Sequence, residues 1–212
     1  MSKVDVLSNN AGVSQPPRGS ISKQGIELQL ATNCLGLFLL TAAVLDAAPG
    51  TVRVVWISSE VVELSASPKG MTMSELTNPP KDGIRGYVNS KLGELVSGGG
   101  DGTSVWVRAA SRECAQNPGA ANTNLLRNVK WMKVLSWPLL HSAELATHTE
   151  IYAGMSPHLG LENNSAYIIP WGRIHQAVAP NLVAVMKSKE EGRKGLTEEF
   201  WDFCEERTND YM

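Results

Sequence analysis

"VDVLSNNAG", residues 4–12, is the stretch on which the reading of this chain turns. Val4 to Leu7 is a short apolar run of strand type, and Ser8 to Gly12 breaks it with turn-forming residues. An apolar strand needs neighbours, and the next one arrives only after a long apolar segment. "KQGIELQLATNCLGLFLLTAAVLDAA" (23–48) predicts a helix whose second half is apolar nearly all round and therefore buried, ended by Pro49-Gly50. "TVRVVWIS" (51–58) then reads as a strand covered on both faces. Strand, helix and strand in this order imply an α/β fold, with a mostly parallel sheet flanked by helices.

The remainder continues the pattern. Tyr87 to Leu95 predicts a helix that "SGGGDG" (97–102) breaks, and "TSVWV" (103–107) a short strand. Asn117-Pro118-Gly119 reads as a turn and Leu139 to Met155 as a helix. "AYIIP" (166–170) is a last strand, and "LTEEFWDFCEER" (196–207) a closing helix capped by Thr197. "VSQPPRGS" (13–20) and "SASPKGMTMSELTNPPKDG" (65–83) read as loops, "KSKEEGRKG" (187–195) as a solvated run, and "RAASRECAQ" (108–116) does not look like a strand.

The 212 residues suit one domain, and 42% hydrophobic with 19% charged residues allows a packed core. A net charge of −2 without a Lys/Arg cluster argues against nucleic acid or an anionic membrane as partner. Cys34, Cys114 and Cys204 are odd in number and lack CxxC spacing, which fits a reducing compartment. No leader pattern is visible, and the apolar stretch from Cys34 to Leu45 is too short to span a bilayer. The expectation is a cytoplasmic protein. His141, Glu144 and His148 are not in the HExxH arrangement of metalloproteases, so no metal site is expected.

Three positions carry candidate chemistry. Tyr87 and Lys91 stand at i and i+4, on one face of a helix. An ammonium there favours the phenolate and lowers the tyrosine from its usual value of about 10, toward use as a general acid/base. Ser59 ends the "VVWISS" strand, where a hydroxyl can hold a substrate carbonyl or simply begin a loop. Asn33 is a polar residue inside an apolar helix, either a satisfied structural residue or a relay for water.

Taken together and in order, these motifs resemble the short-chain dehydrogenase/reductase family. "NNAG" (9–12), "NCLG" (33–36), "VVWISS" (54–59, with Ser59 a better match than Ser58), "YVNSK" (87–91) and "NPGAANTNL" (117–125) each match one of its signatures. The tail from His141 onward is similar to a branch common in filamentous fungi and akin to retinol-dehydrogenase-like members. The resemblance implies a Rossmann-type sheet and NADP- or NAD-dependent interconversion of a carbonyl and an alcohol. It implies that Tyr87 exchanges the substrate proton, Lys91 lowers the pKa of Tyr87 and binds the nicotinamide ribose, Ser59 orients the carbonyl, and Asn33 holds a relay water. Asn10, Ala11 and Gly12 would line the cofactor, and Pro118, Gly119 and Thr123 its nicotinamide end. Apolar residues after the Pro-Gly turn, namely Trp131, Met132, Trp137 and Leu139, suggest an apolar small-molecule substrate, although core packing explains them equally well.

Two departures qualify this. The family's opening strand and Gly-xxx-Gly-x-Gly turn have no counterpart in the 212 residues. The expectation is a single incomplete dinucleotide-binding-type domain over 1–212, its first three strands absent, with C-terminal substrate-side helices. Its first strand would be an exposed edge open to self-association, and the alternative function is a non-catalytic remnant or partner-binding module. "ELVSGGGDGTSVWVRAASRECAQ" (94–116) also lacks the family's apolar helix and strand, which suggests a wrong reading frame or a mispredicted intron.

Overall fold

The computed structural model describes residues 3–47, 51–67, 70–99, 112–186 and 195–212. The Pro49-Gly50 stop, the "TSVWV" strand and all but the last residue of the 187–195 run lie outside them.

The chain begins with strand β1 (Val6–Asn9) and enters helix α1 (Leu28–Ala47) through Glu27, whose carboxylate accepts from the Leu30 amide at 2.8 Å. One turn of α1, Ala31–Leu35, is π-helical. Strand β2 (Arg53–Ile57) is followed by the short helices α2 (Glu60–Ser65) and α3 (Met73–Thr77), then by helix α4 (Gly83–Gly99). Next come β3 (Arg112–Gln116), α5 (Lys130–Leu135), α6 (Ala143–Met155), β4 (Ala166–Ile169), β5 (Arg173–Ile174), α7 (Pro180–Met186) and α8 (Leu196–Thr208). Among the described residues the sheet runs β1-β2-β3-β4-β5, with β1 to β4 parallel and β5 antiparallel to β4. This is the α/β arrangement expected from the alternation of strands and helices. On its outer side β1 pairs with no strand among the described residues.

Two cores flank the sheet. On one face α4 presents Val88, Leu92, Leu95 and Val96, all buried, to Leu30, Phe38, Leu182 and Phe200. Each such side chain contributes about 1.5–3 kcal/mol by leaving water. On the other face Val55, Cys114 and Ile168 meet Ala153 of α6. Arg53 fastens the end of α6: its guanidinium donates to the carbonyls of Gly154 and Ser156 at 3.0 Å and of Leu159 at 2.6 Å. A cation on the unpaired carbonyls of a helix C-terminus is favourable.

Several expectations need correction. "RECAQ" is a strand, and the central one, with β2 on one side and β4 on the other. It shows no apolar alternation because Glu113 and Gln116 are polar and nevertheless buried. Two flanking strands satisfy its backbone whatever its side chains are. The segment 94–116 therefore enters the architecture at both ends, since Glu94–Gly99 completes α4. The "SGGG" break comes later than expected, because Gly98 and Gly99 remain helical. Helices α2, α3, α5 and α7 were not anticipated; α3 lies inside the supposed polar loop. The His141 helix begins only at Ala143, with Ser142 as cap, so His141 and His148 do not share a helix. Thr197 does not cap α8: Gly195, at φ +60, takes that position, and the Thr197 hydroxyl donates to the Val185 carbonyl.

The whole of α1 is longer than its most apolar part. Its 20 residues suffice by length and composition to cross a membrane, and 56% of its most apolar window is buried inside the fold. Leu30, Leu35 and Phe38 belong to the core beneath the sheet, which accounts for the hydropathy without a bilayer.

Candidate functional site

A cleft of about 440 Å³ opens at the carboxyl ends of β1, β2 and β3. In a parallel sheet this is where the loops diverge and ligands bind. Its wall includes Asn10 and Gly12 after β1, Ser58 and Ser59 after β2, Gln116, Pro118, Gly119 and Thr123 at and after β3, and Tyr87 and Lys91 from α4. Of the positions singled out from sequence, Ala11 and Asn33 are not on this wall. Ala11 is exposed, and Asn33 is fully buried one layer behind Gly12.

Helix α4 is started by Asp82, whose carboxylate accepts from the Ile84 amide at 3.0 Å. That registry puts Tyr87 and Lys91 toward the cleft, with the Lys91 ammonium 5.8 Å from the Tyr87 ring centre. Ser58 and Ser59 divide their tasks. Ser58 is buried and donates to the Lys91 carbonyl at 2.9 Å, tying β2 to α4. Ser59 caps α2 through the Val61 amide, and its hydroxyl eases ionisation of the Tyr87 phenol.

Asn33 sits in the π-helical turn. Its amide accepts from the Val13 nitrogen at 2.8 Å and donates to the Val13 carbonyl and the Ser90 hydroxyl, both at 2.9 Å. Through these bonds the Asn33 side chain clamps the loop after β1 onto α4. Asn9 acts similarly, donating to Thr41 at 2.9 Å. Opposite, the Asn117 carboxamide accepts from the Gly119 amide at 2.8 Å and closes the Pro-Gly turn. Gly119 is at φ +77, where a Cβ would also meet the His141 ring at 2.7 Å, so the turn requires glycine. Thr123 caps a short turn over Asn124–Leu126.

Lys91 lowers Tyr87, in the expected direction, but is outweighed. Burial holds the Tyr87 phenol above its ordinary range, and although Lys91 opposes this, Glu94 works against Lys91. Lys91 is itself buried and donates to both Glu94 carboxylate oxygens at 2.9 Å and to the Ile57 carbonyl at 2.8 Å. Its three N–H donors thus face three acceptors. Glu94, fully buried, is pushed up by desolvation to about 8, with the Lys91 ammonium pulling the other way.

Sequence reading missed two site residues. Glu94 was detectable as an acid at i+3 from Lys91, but its burial was not. Gln116 ends the strand that did not look like one. It is fully buried on the cleft wall, and neither side-chain polar atom has a partner among the described residues. Such a group calls for a hydrogen-bonding ligand. With the Gly12 and Gly119 turns, which keep the wall free of side chains, it gives the cleft an unpartnered donor and acceptor and room for the nicotinamide end of a dinucleotide.

No protein-family model matches the chain. It is 33% identical over 232 aligned positions to a short-chain dehydrogenase/reductase of Phomopsis amygdali, covering 99% of this chain and 66% of that protein. It is 31% identical over 214 positions to another of Pestalotiopsis fici, covering 96% and 64%. The chain thus spans just under two thirds of the length of these relatives. Among solved structures, a Mycobacterium paratuberculosis protein superposes with a TM-score of 0.62 at 22% identity, over 99% of this chain and 68% of that one. An NADPH-bound carbonyl reductase from chicken fatty liver gives 0.54 at 16% identity, over 82% and 66%. Those two likenesses concern the fold. With relatives above 30% identity along almost its whole length, the chain belongs to the short-chain dehydrogenase/reductase family.

Proposed function

We propose that the cleft carries out NAD(P)-dependent interconversion of a carbonyl and an alcohol on an apolar small molecule. The observation that carries this reading is the convergence of Tyr87, Ser59 and Lys91 on one cleft at the carboxyl end of a parallel sheet. Bound nicotinamide supplies or accepts the hydride. Tyr87 gives its phenolic proton to the nascent alkoxide oxygen or takes it back, and the Ser59 hydroxyl holds the carbonyl oxygen beside it. Lys91, exchanging one of its three present acceptors for the ribose, and the Gly12 and Pro118-Gly119 loops hold the ribose and nicotinamide end, with Asn10 and Thr123 at its margins. Asn33 keeps the Gly12 loop in place.

An apolar substrate is supported by the segment that continues from the cleft wall. Trp131, Trp137 and Leu139 are 61%, 69% and 76% exposed, an apolar surface with no core to fill. The setting in this reading is reducing and cytoplasmic, consistent with three free, buried cysteines. Titration with NADPH and NADH tests the proposal. Saturable quenching of tryptophan fluorescence and a rise in Tm are expected with one of them, and no response to either would remove catalysis by this chain.

A second reading is favoured by the outer side of β1, which pairs with no strand among the described residues. An open parallel edge is a template for a further strand, here from a second copy or another chain. On this reading the protein is a partner-binding module. Light scattering is expected to give a mass above the monomer's 22.9 kDa that falls when proline replaces Ser8, the exposed β1 residue whose amide points away from β2. A monomer at all concentrations would remove self-pairing.

A further inference from the structure

We infer that Glu94 is a positioning residue that governs the ionisation of Tyr87 through Lys91. The inference deepens the carbonyl/alcohol reading, and its consequence for catalysis rests on that reading. The geometry is a chain of three side chains on one face of α4. Glu94 holds the Lys91 ammonium through both carboxylate oxygens at 2.9 Å, and that ammonium lies 5.8 Å from the Tyr87 ring. Lys91 and Glu94 side chains are 5% and 0% exposed, so water screens neither.

Two effects follow from one carboxylate. Oriented by Glu94 and the Ile57 carbonyl, Lys91 is fixed in a single place instead of sampling the cleft. The same carboxylate, once ionised, cancels much of the ammonium's field at the phenol. The other groups near the triad are few. Ser59 and Glu60 face Tyr87 from the start of α2, with Ser59 favouring the phenolate and Glu60 opposing it. Cys34 faces Lys91 and Glu94 from α1, with Cys204 and Glu27 near it. Burial holds both Cys34 and Cys204 as neutral thiols. Among these groups Glu94 is the charge that touches Lys91 directly.

The sign can be worked through. Burial pushes the Glu94 carboxyl up to about 8, with Lys91 opposing. Ionised, as it is in the alkaline range where a phenol titrates, it raises the cost of a phenolate on Tyr87. Removing its charge while keeping its shape leaves Lys91 unopposed, and the phenolate forms at lower pH. One buried charge within about 10 Å, at an effective dielectric constant of about 20, amounts to about one pH unit.

The test is an ultraviolet phenolate titration of the full chain without cofactor. The trace of Tyr87→Phe is subtracted so that Tyr152, Tyr167 and Tyr211 cancel. Wild type is expected to show a Tyr87 midpoint above about 10. Glu94→Gln is expected to lower it by about one unit, and Glu94→Asp, which keeps the charge, to leave it within about 0.3 unit. An unchanged midpoint in Glu94→Gln overturns the inference, as does an equal shift in both variants, which is what packing alone would give. If Glu94→Gln does not fold, wild type decides: a midpoint below about 9 would show the Lys91 field reaching Tyr87 unopposed. None of these readings uses cofactor or turnover, so a failed NADPH titration and a failed inference remain distinct results.

Discussion

If the proposed activity holds, Tyr87→Phe is expected to lower kcat for NAD(P)H-dependent reduction of an apolar ketone about a thousandfold, within the 10²–10⁴ typical of a lost general acid. The change removes one oxygen from a side chain that is 7% exposed and leaves its ring in the same core position beside Val88. Cofactor affinity should stay within about twofold, because the other cleft-lining groups, Lys91 and the Gly12 and Gly119 backbone, are untouched. Loss of kcat with affinity retained identifies a group that acts in the transition state. A residual rate within about tenfold of wild type would mean that the proton comes from elsewhere, and the assignment of Tyr87 would fall.

The second large effect is on stability. Gly98→Val is expected to cost at least about 3 kcal/mol and to lower Tm by about 10 °C. A Cβ at Gly98 would lie 2.7 Å from the carbonyl carbon and oxygen of Cys114 and 2.7 Å from the Trp56 ring. Those carbonyl atoms belong to the backbone of the central strand and cannot move without shifting β2 and β4 as well. Helix propensity alone predicts the opposite sign, since replacing a helical glycine usually gains up to about 1 kcal/mol. Gly93→Ala is a useful contrast. Its Cβ would meet the tip of the Phe200 ring at 2.6 Å, a side chain that can swing aside, so the loss should be smaller. Urea unfolding of the two variants separates the cases, and equal losses would show that the approach of α4 to β3 is softer than its geometry implies.

Much of the candidate site is visible in the sequence because its parts are local. Tyr87 and Lys91 share a helix face by spacing alone, Ser59 stands at a strand end by pattern alone, and Asn117-Pro118-Gly119 can hardly be anything but a turn. The α/β class follows in the same way from β1, α1 and β2. The family signatures lie in order along the chain because each is a short backbone device with its own local chemistry.

What escaped the sequence depends on distant partners. "RECAQ" becomes the central strand because β2 and β4 pair with its backbone, and strand pairing does not require its side chains to alternate. Gln116, fully buried without a partner among the described residues, gains its place on the cleft wall from that strand. Thr197 looks like a cap, yet the left-handed turn at Gly195 fixes the start of α8 and Thr197 turns to Val185. The sequence by itself determined the α/β class and the identity of the Tyr87, Lys91 and Ser59 cluster, since periodicity and turn chemistry act within a few residues. Only the tertiary structure decided that Lys91 is held by a buried Glu94 and that Tyr87 stays above its ordinary range, because burial and the field of a neighbouring charge exist only once α4 is packed against the sheet.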